Sequence, residues 1–236
     1  MNLLELRLLT AIAVKHKRKL KSGDVKQAFC QATLPDHEKY VLRSPAGCPH
    51  TSKNTYWLLK RTLYGLKRSP RHWYDRAVAL LEQVGLKRCP KSLCMFRGTI
   101  LPGKPSLYLG LYVDDFVYFS TDPSVEIEFE KRCGALTTVN FMGPVTHFLG
   151  IRFQWRESAN NLEVHLSQQA FAENLIQQTR LDDPAVAITH TPFRSGQPID
   201  SITHVEMSKD QREKLERKLR SYVGLLLWLS QGTRPD

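Results

Sequence analysis

The chain has 236 residues, of which 42% are hydrophobic and 24% charged, enough apolar material for a sizeable core and too much for a wholly disordered chain. Lys and Arg outnumber Asp and Glu 34 to 23, giving a formal charge of +11. That surplus fits a polyanionic partner, nucleic acid before acidic membrane, about as well as it fits a generally solvated basic surface.

Leu4, Leu8, Ala11 and Ile12 recur at helical spacing, so residues 3–16 read as a helix. The basic run Lys15 to Lys21 follows; it suits a helix C-terminus, where the macrodipole favours cations, better than a nuclear localisation signal. Glu5 and Arg7 interrupt the apolar residues, and no small-residue cleavage site follows, so a signal peptide is not expected. After Ser22-Gly23, the segment Asp24–Phe29 reads as a strand leading into a turn or short helix. Loop chemistry fills 35–54 around a short strand at 40–42, and Tyr56–Leu59 reads as a strand. Pro70 is placed to open a helix with Trp73, Ala77, Leu80, Leu81 and Val84 as its buried stripe and Gly85 as its stop.

The strongest strand pair is Ser106–Leu111 and Phe116–Ser120, joined through Tyr112-Val113-Asp114-Asp115. Pro123 opens a helix to about Leu136. Val145–Gln154 and Asn161–Leu166 read as a second hairpin, and Ser167 caps a helix over 168–180. Residues 181–209 are polar and proline-bearing, a linker or extended arm, and 210–230 form a last helix. Strands and helices mix without regular alternation, so the expected class is α+β with an antiparallel sheet. The five cysteines, an odd number with no C-x-x-C pair, read as reduced thiols of an intracellular protein. No Cys/His set has zinc-ligand spacing, and no apolar run reaches the ~20 residues of a membrane span.

Two adjacent aspartates between strongly apolar strands repel each other. Taken alone, Asp114-Asp115 is slightly better explained as a tight turn than as a metal site. Asp24, also beside apolar residues, shifts that balance. If its strand lies beside the hairpin, three carboxylates converge on one sheet edge and suit a hard cation such as Mg²⁺. The alternative for Asp24 is a turn or helix-cap residue. Lys53, Lys60, Arg61, Lys67, Arg68 and Arg71 interleave with Tyr56, Trp57, Tyr64, Trp73 and Tyr74, a mixture suited to phosphate contacts and base stacking. For Trp57 and Trp73 a core position is the better expectation.

At these residues the chain resembles a known family. Tyr112-Val113-Asp114-Asp115 is similar to the Y-x-D-D signature of reverse transcriptases, and Asp24-Val25-Lys26-Gln27-Ala28-Phe29 to their D-V-K-x-A-F motif. The block Leu63 to Tyr74, LYGLKRSPRHWY, resembles one peculiar to the copia-type retrotransposon branch. Phe148-Leu149-Gly150-Ile151, Leu166-Ser167-Gln168 and the terminal Thr233-Arg234-Pro235-Asp236 complete an ordered set over nearly the whole chain.

The resemblance implies a polymerase palm, partial fingers and thumb-like C-terminal helices. Residues 1–180 would be palm with partial fingers, 181–209 a linker, and 210–236 the start of a thumb or connection region. It implies an RNA-directed DNA polymerase working on a primed RNA or DNA template with deoxynucleoside triphosphates. Asp24, Asp114 and Asp115 would be the catalytic carboxylates and the ligands of two Mg²⁺, with Mn²⁺ as a substitute. Val25, Phe29, Lys67, Arg68 and Tyr112 would contact the nucleotide, with Phe29 under the sugar excluding a 2′-hydroxyl; a plain core phenylalanine is its alternative. Tyr64, Gly65, Pro70, Arg71, Phe148, Leu149 and Gly150 would contact nucleic acid, although Phe148–Ile151 also reads as an ordinary buried strand.

Three residues depart from the pattern: Gly23 stands where a larger residue is usual, Cys30 where Leu is common and Arg68 where Gln is usual. On the resemblance, an N-terminal fingers segment and a C-terminal RNase H would lie outside this chain, in the full polyprotein. Location would be cytoplasmic, in virus-like particles, with nuclear entry open. The competing expectation is an inactive retrotransposon remnant that binds nucleic acid through its charge.

Overall fold

The computed structural model describes residues 1–45, 47–48, 55–179 and 207–234. The elements, in order, are α1 (Leu3–Lys15), β1 (Lys21–Val25), α2 (Ala28–Gln31), β2 (Val41–Arg43), β3 (Tyr56–Leu58), α3 (Ser69–Val84), β4 (Lys87–Arg88), β5 (Met95–Gly98), β6 (Leu107–Tyr112), β7 (Asp115–Ser120), α4 (Pro123–Leu136), β8 (Val139–Pro144), β9 (His147–Phe148), β10 (Ile151–Glu157), β11 (Leu162–Ser167), α5 (Gln169–Thr179) and α6 (Lys209–Gly232). The class is α+β, as expected. Of the expected linker 181–209, the residues up to 206 lie outside the described residues, and Ser208 and Lys209 already cap and open α6.

The chain divides into two compact units. The first holds residues 1–146 and 155–164; the second holds 147–154 and the residues from 165 onward. The first is built on a six-stranded sheet of order β4-β5-β6-β7-β1-β8, in which every strand pairs antiparallel with its neighbours. β6 and β7 are apolar on both faces because both are covered. Leu107, Leu109, Leu111, Phe116 and Tyr118 join one core cluster with the α3 stripe Trp73, Ala77, Leu80, Leu81 and Val84 and with Val125 and Phe129 of α4. The intervening residues face the other way, where Met1 and Leu9 of the N-terminal segment press on Gly110. The Met1 ammonium donates to the Leu111 carbonyl at 3.2 Å.

α3 follows the sequence expectation closely. It starts at Ser69, one residue before Pro70, and ends at Gly85, whose φ of 106° is left-handed and open to glycine at little cost. α1 has the expected span but not the expected face. Leu6, Leu9, Thr10 and Ala13 are buried, while Leu4 and Leu8 are exposed. Apolar residues almost encircle this helix, so spacing alone does not select a face. Trp57, expected in the core, is 40% exposed on β3, a three-residue strand paired only with β2 in its own small sheet.

One contact bears on the site. A Cβ added to Gly23 would fall inside the ring of Phe116, which is 4% exposed and packed edge-on or tilted against Tyr118, Phe129 and Phe141. The Phe116 ring lies over β1 here because position 23 has no side chain.

In the second unit, the expected long strand 145–154 is broken. β9 and β10 pair antiparallel, Ile151 with Phe148 and Arg152 with His147, across a tight turn at Leu149-Gly150 with φ of 49° and 69°. Ser167 caps α5, accepting from the Gln169 amide at 3.1 Å. Gln168, 3% exposed, accepts from the Thr233 hydroxyl at 3.1 Å beside Gly232 at the end of α6.

Candidate active site

The three aspartates come together through strand register. β1 pairs with β7 so that Asp24 lies directly opposite Asp115, and β6 pairs with β7 so that Tyr112 lies opposite Asp115. Only Val113 and Asp114 bridge that hairpin. The Val25 amide donates to the Asp114 carbonyl at 2.9 Å, closing the hairpin end onto β1. Side chains alternate along a strand, so Asp24 and Asp115 share the face opposite Gly23 and Phe116. The place is the hairpin end of the central strands β6, β7 and β1, and not an outer strand as "one sheet edge" would suggest.

Like charges directly opposite on neighbouring strands cost stability. The effect shows in Asp115, whose carboxyl is pushed above the usual aspartate range first by burial and then by the charges of Asp114 and Asp24. An all-oxygen donor set under mutual repulsion suits a hard divalent cation, which would offset the charge. Among the described residues, however, no three His, Cys, Asp or Glu side chains are gathered into a closed metal cluster. The backbone register brings the aspartates to one place without gathering their side chains into such a cluster.

The turn itself is unusual. Two-residue hairpin turns favour positive φ at their first central position, normally with Gly or Asn. Here that position is Val113, with φ of 56°, a left-handed conformation that costs a β-branched residue ~1–3 kcal/mol. The Trp73 indole N–H donates to the Val113 carbonyl at 2.7 Å. Trp73, expected as a core residue, is one, but nothing in the residue pattern points to this bond.

Tyr64 lies beside the carboxylates, and Phe29 packs between it and the core cluster. Phe29 is half-buried on α2, and its ring centroid lies 4.7 Å from that of Tyr64. The Tyr64 phenol is pushed up by burial and then by Asp114, Cys30 and Asp24, which places it beside the aspartates although it is 53% exposed. The segment carrying Tyr64 is strapped to the one carrying Phe29. The Thr62 amide donates to the Ala32 carbonyl at 2.9 Å, the Thr62 hydroxyl to the Phe29 carbonyl, and the Leu34 amide to the Lys60 carbonyl at 3.1 Å. An open cleft of about 1180 Å³ runs from Asp24 past Lys26, Lys60, Arg61 and Arg76; Asp114 and Asp115 do not line it.

The remaining expected contacts divide. Tyr112 and Lys67 are exposed; Gly65 (φ 94°) forms the turn before α3, with Pro70 exposed in its first turn. Val25 is 7% exposed with its side chain in the core and its amide given to Asp114, so it braces the strands instead of presenting a side chain. Arg71 pairs with Asp75 at 2.9 Å on the exposed face of α3. Arg68 pairs with Glu38 at 2.7 Å, and His72, to which the sequence assigned nothing, meets the other Glu38 oxygen at 3.0 Å. Burial acts to raise the Glu38 pKa, but His72, Arg68 and His37 together hold it below the usual carboxylate range. Arg68 is thus part of a buried-carboxylate cluster joining the loop before β2 to α3. Phe148, Leu149 and Gly150 belong to the second unit, where Phe148 is buried and the other two make the turn.

A reverse transcriptase (RNA-dependent DNA polymerase) family model matches residues 1–193. The chain is 26% identical over 231 residues to the retrovirus-related Pol polyprotein from transposon RE1 of Arabidopsis thaliana, covering 98% of this chain and 15% of the relative. The corresponding polyprotein from transposon TNT 1-94 of Nicotiana tabacum is 21% identical over 232 residues, covering 98% and 17%. The chain therefore spans well under a fifth of the length of these relatives. No solved structure shows a significant match. No helix among the described residues is long and apolar enough to cross a membrane.

Proposed function

Since the chain belongs to the copia-type branch of the reverse transcriptase family, we propose that it carries the catalytic centre of an RNA-directed DNA polymerase. The six-stranded sheet with α3 and α4 would be its palm, the β2–β3 region its fingers portion, and α5 and α6 thumb-like helices. The observation that carries the reading is the register of Asp24 opposite Asp115 beside Asp114, a juxtaposition of like charge that raises the Asp115 carboxyl.

Asp24, Asp114 and Asp115 would hold two Mg²⁺ ions. Such ions activate a primer 3′-hydroxyl and stabilise the leaving pyrophosphate. The protein's own work is to place the groups around them. Phe29, backed by Tyr64, forms a wall where a deoxyribose would lie against the carboxylates. The cations of the cleft beside Asp24 draw the triphosphate and the nucleic-acid backbone by charge. Lys67, at the exposed end of the block before α3, is available to the same partner.

Primer extension on an RNA template with Mg²⁺, run with the chain carried in its full polyprotein, tests the reading. Extension that falls to background in both Asp24→Asn and Asp114→Asn, with folding retained, supports it. Primer–template binding that weakens with salt by ~0.9 log units per neutralised phosphate per log unit of salt, with no extension by the natural sequence, would instead identify a remnant that only binds nucleic acid.

A further inference from the structure

We propose that Trp73 is a positioning residue for the Val113-Asp114 turn, its indole N–H holding the turn in the left-handed form that presents Asp114; the functional part of this inference rests on Asp114 being a metal ligand. Trp73 is 2% exposed, and a buried indole N–H left without an acceptor is costly. Its acceptor is the carbonyl of Val113, 40 positions away and at the tip of the hairpin.

The β6–β7 ladder closes the turn at Tyr112 and Asp115 but does not set the peptide planes between them. Val113 is 45% exposed, so burial of its side chain does not anchor it, and its backbone is in a conformation that valine disfavours. What fixes it is a pair of hydrogen bonds to successive carbonyls: Trp73 Nε1 to Val113 at 2.7 Å, from α3, and the Val25 amide to Asp114 at 2.9 Å, from β1. A peptide unit is planar, so anchoring its carbonyl sets the plane. With the planes on both sides of Asp114 set, the direction of its Cα–Cβ bond follows. α3 is a suitable anchor because its stripe is locked into the core from Trp73 to Val84.

The test separates the hydrogen bond from the packing. Trp73→Phe keeps an aromatic ring and removes the donor. Amide hydrogen exchange should show the Val25 amide exchanging at least ~10-fold faster, while the core amides of α3 and β6 keep their protection. A Val113→Gly background tests the conformational role, because glycine takes positive φ freely. There Trp73→Phe should produce a clearly smaller increase. In primer extension, Trp73→Phe should raise the half-saturating Mg²⁺ concentration by ~10–100-fold, the usual effect of losing a partner that orients a metal ligand. Unchanged Val25 exchange, uniform loss of protection across α3 and the sheet, or an equal effect in the Val113→Gly background would overturn the proposal and reduce Trp73 to a packing residue. Absence of extension by the natural sequence would remove the polymerase reading, and the exchange data would still decide whether Trp73 holds the turn.

Discussion

Removing the Glu126 carboxylate should destabilise the first unit by about 3 kcal/mol. Glu126 is 1% exposed on α4 and collects three donors: Arg18 at 3.2 Å, Lys21 at 3.2 Å and the buried Ser120 amide at 2.9 Å. In Glu126→Ala the Ser120 amide is left unpaired, worth ~1–3 kcal/mol. The two cations lose a buried partner, for which ~3–5 kcal/mol is usual. The terms do not simply add, because both side chains keep 28% exposure and a second partner: Lys21 reaches Glu130 at 2.9 Å and Arg18 the Ser120 carbonyl at 3.0 Å. At roughly 2–4 °C per kcal/mol for a protein of this size, a loss of about 3 kcal/mol lowers Tm by roughly 6–12 °C. Urea unfolding followed by far-UV circular dichroism reads the same loss as a lower midpoint at constant slope. Glu126→Gln keeps an acceptor for Ser120 and should fall between the two. A loss below ~1 kcal/mol for Ala, or a Gln variant worse than Ala, would refute the reasoning. The cluster also has a pH signature. Burial acts to lower the Lys21 pKa, but Glu130 and Glu126 raise it above the ordinary lysine value, so its contribution is full at neutral pH and is lost as pH rises past the lysine range.

Three further outcomes are expected. Asp114→Asn should bring the Asp115 titration, followed by carboxyl NMR, down toward the ordinary range; because a raised carboxyl favours the folded state only while protonated, the variant should also lose less stability than the natural sequence as pH rises through that titration. Phe29→Val, which opens the wall beside Tyr64, should raise the ratio of ribonucleotide to deoxyribonucleotide incorporation in a variant that still extends; an unchanged ratio would return Phe29 to the core. Asp122, held down to about 2 by Lys104 and by Ser124 at the start of α4, should contribute stability above pH ~4 that disappears on acidification toward its own pKa, and an acid unfolding curve for Asp122→Ala should lack that limb.

The elements that could be read from the sequence are those whose residues carry the signal themselves. The α3 stripe repeats at helical spacing and stops at a glycine, and β6 and β7 are dense in β-branched and aromatic residues. β8 was missed because Gly143 and Pro144 give its end the composition of a loop, and β4 and β5 because they are two and four residues long around the Cys89-Pro90 turn. The face of α1 and the exposure of Trp57 depend on what else packs nearby, which local composition does not record. The aspartates were legible as residues, but not the register that sets Asp24 against Asp115, since pairing partners are fixed by the sheet as a whole. The Trp73–Val113 bond, the Glu38–His72 contact and the turn at Leu149 are likewise products of tertiary structure.

Gly23 and Phe116 carry a lesson for anyone recombining this chain with others. The tip of the aromatic ring occupies the volume that a side chain at position 23 would need, so the ring has to shift when that position is enlarged. The two sites therefore behave as a single unit of inheritance: enlarging one demands trimming the other. A chimera that imports a bulkier residue ahead of Asp24 while keeping Phe116 would force that ring into its aromatic neighbours directly beneath the Asp24–Asp115 pair, so a graft that looks conservative in an alignment would be silent only if both positions travelled together.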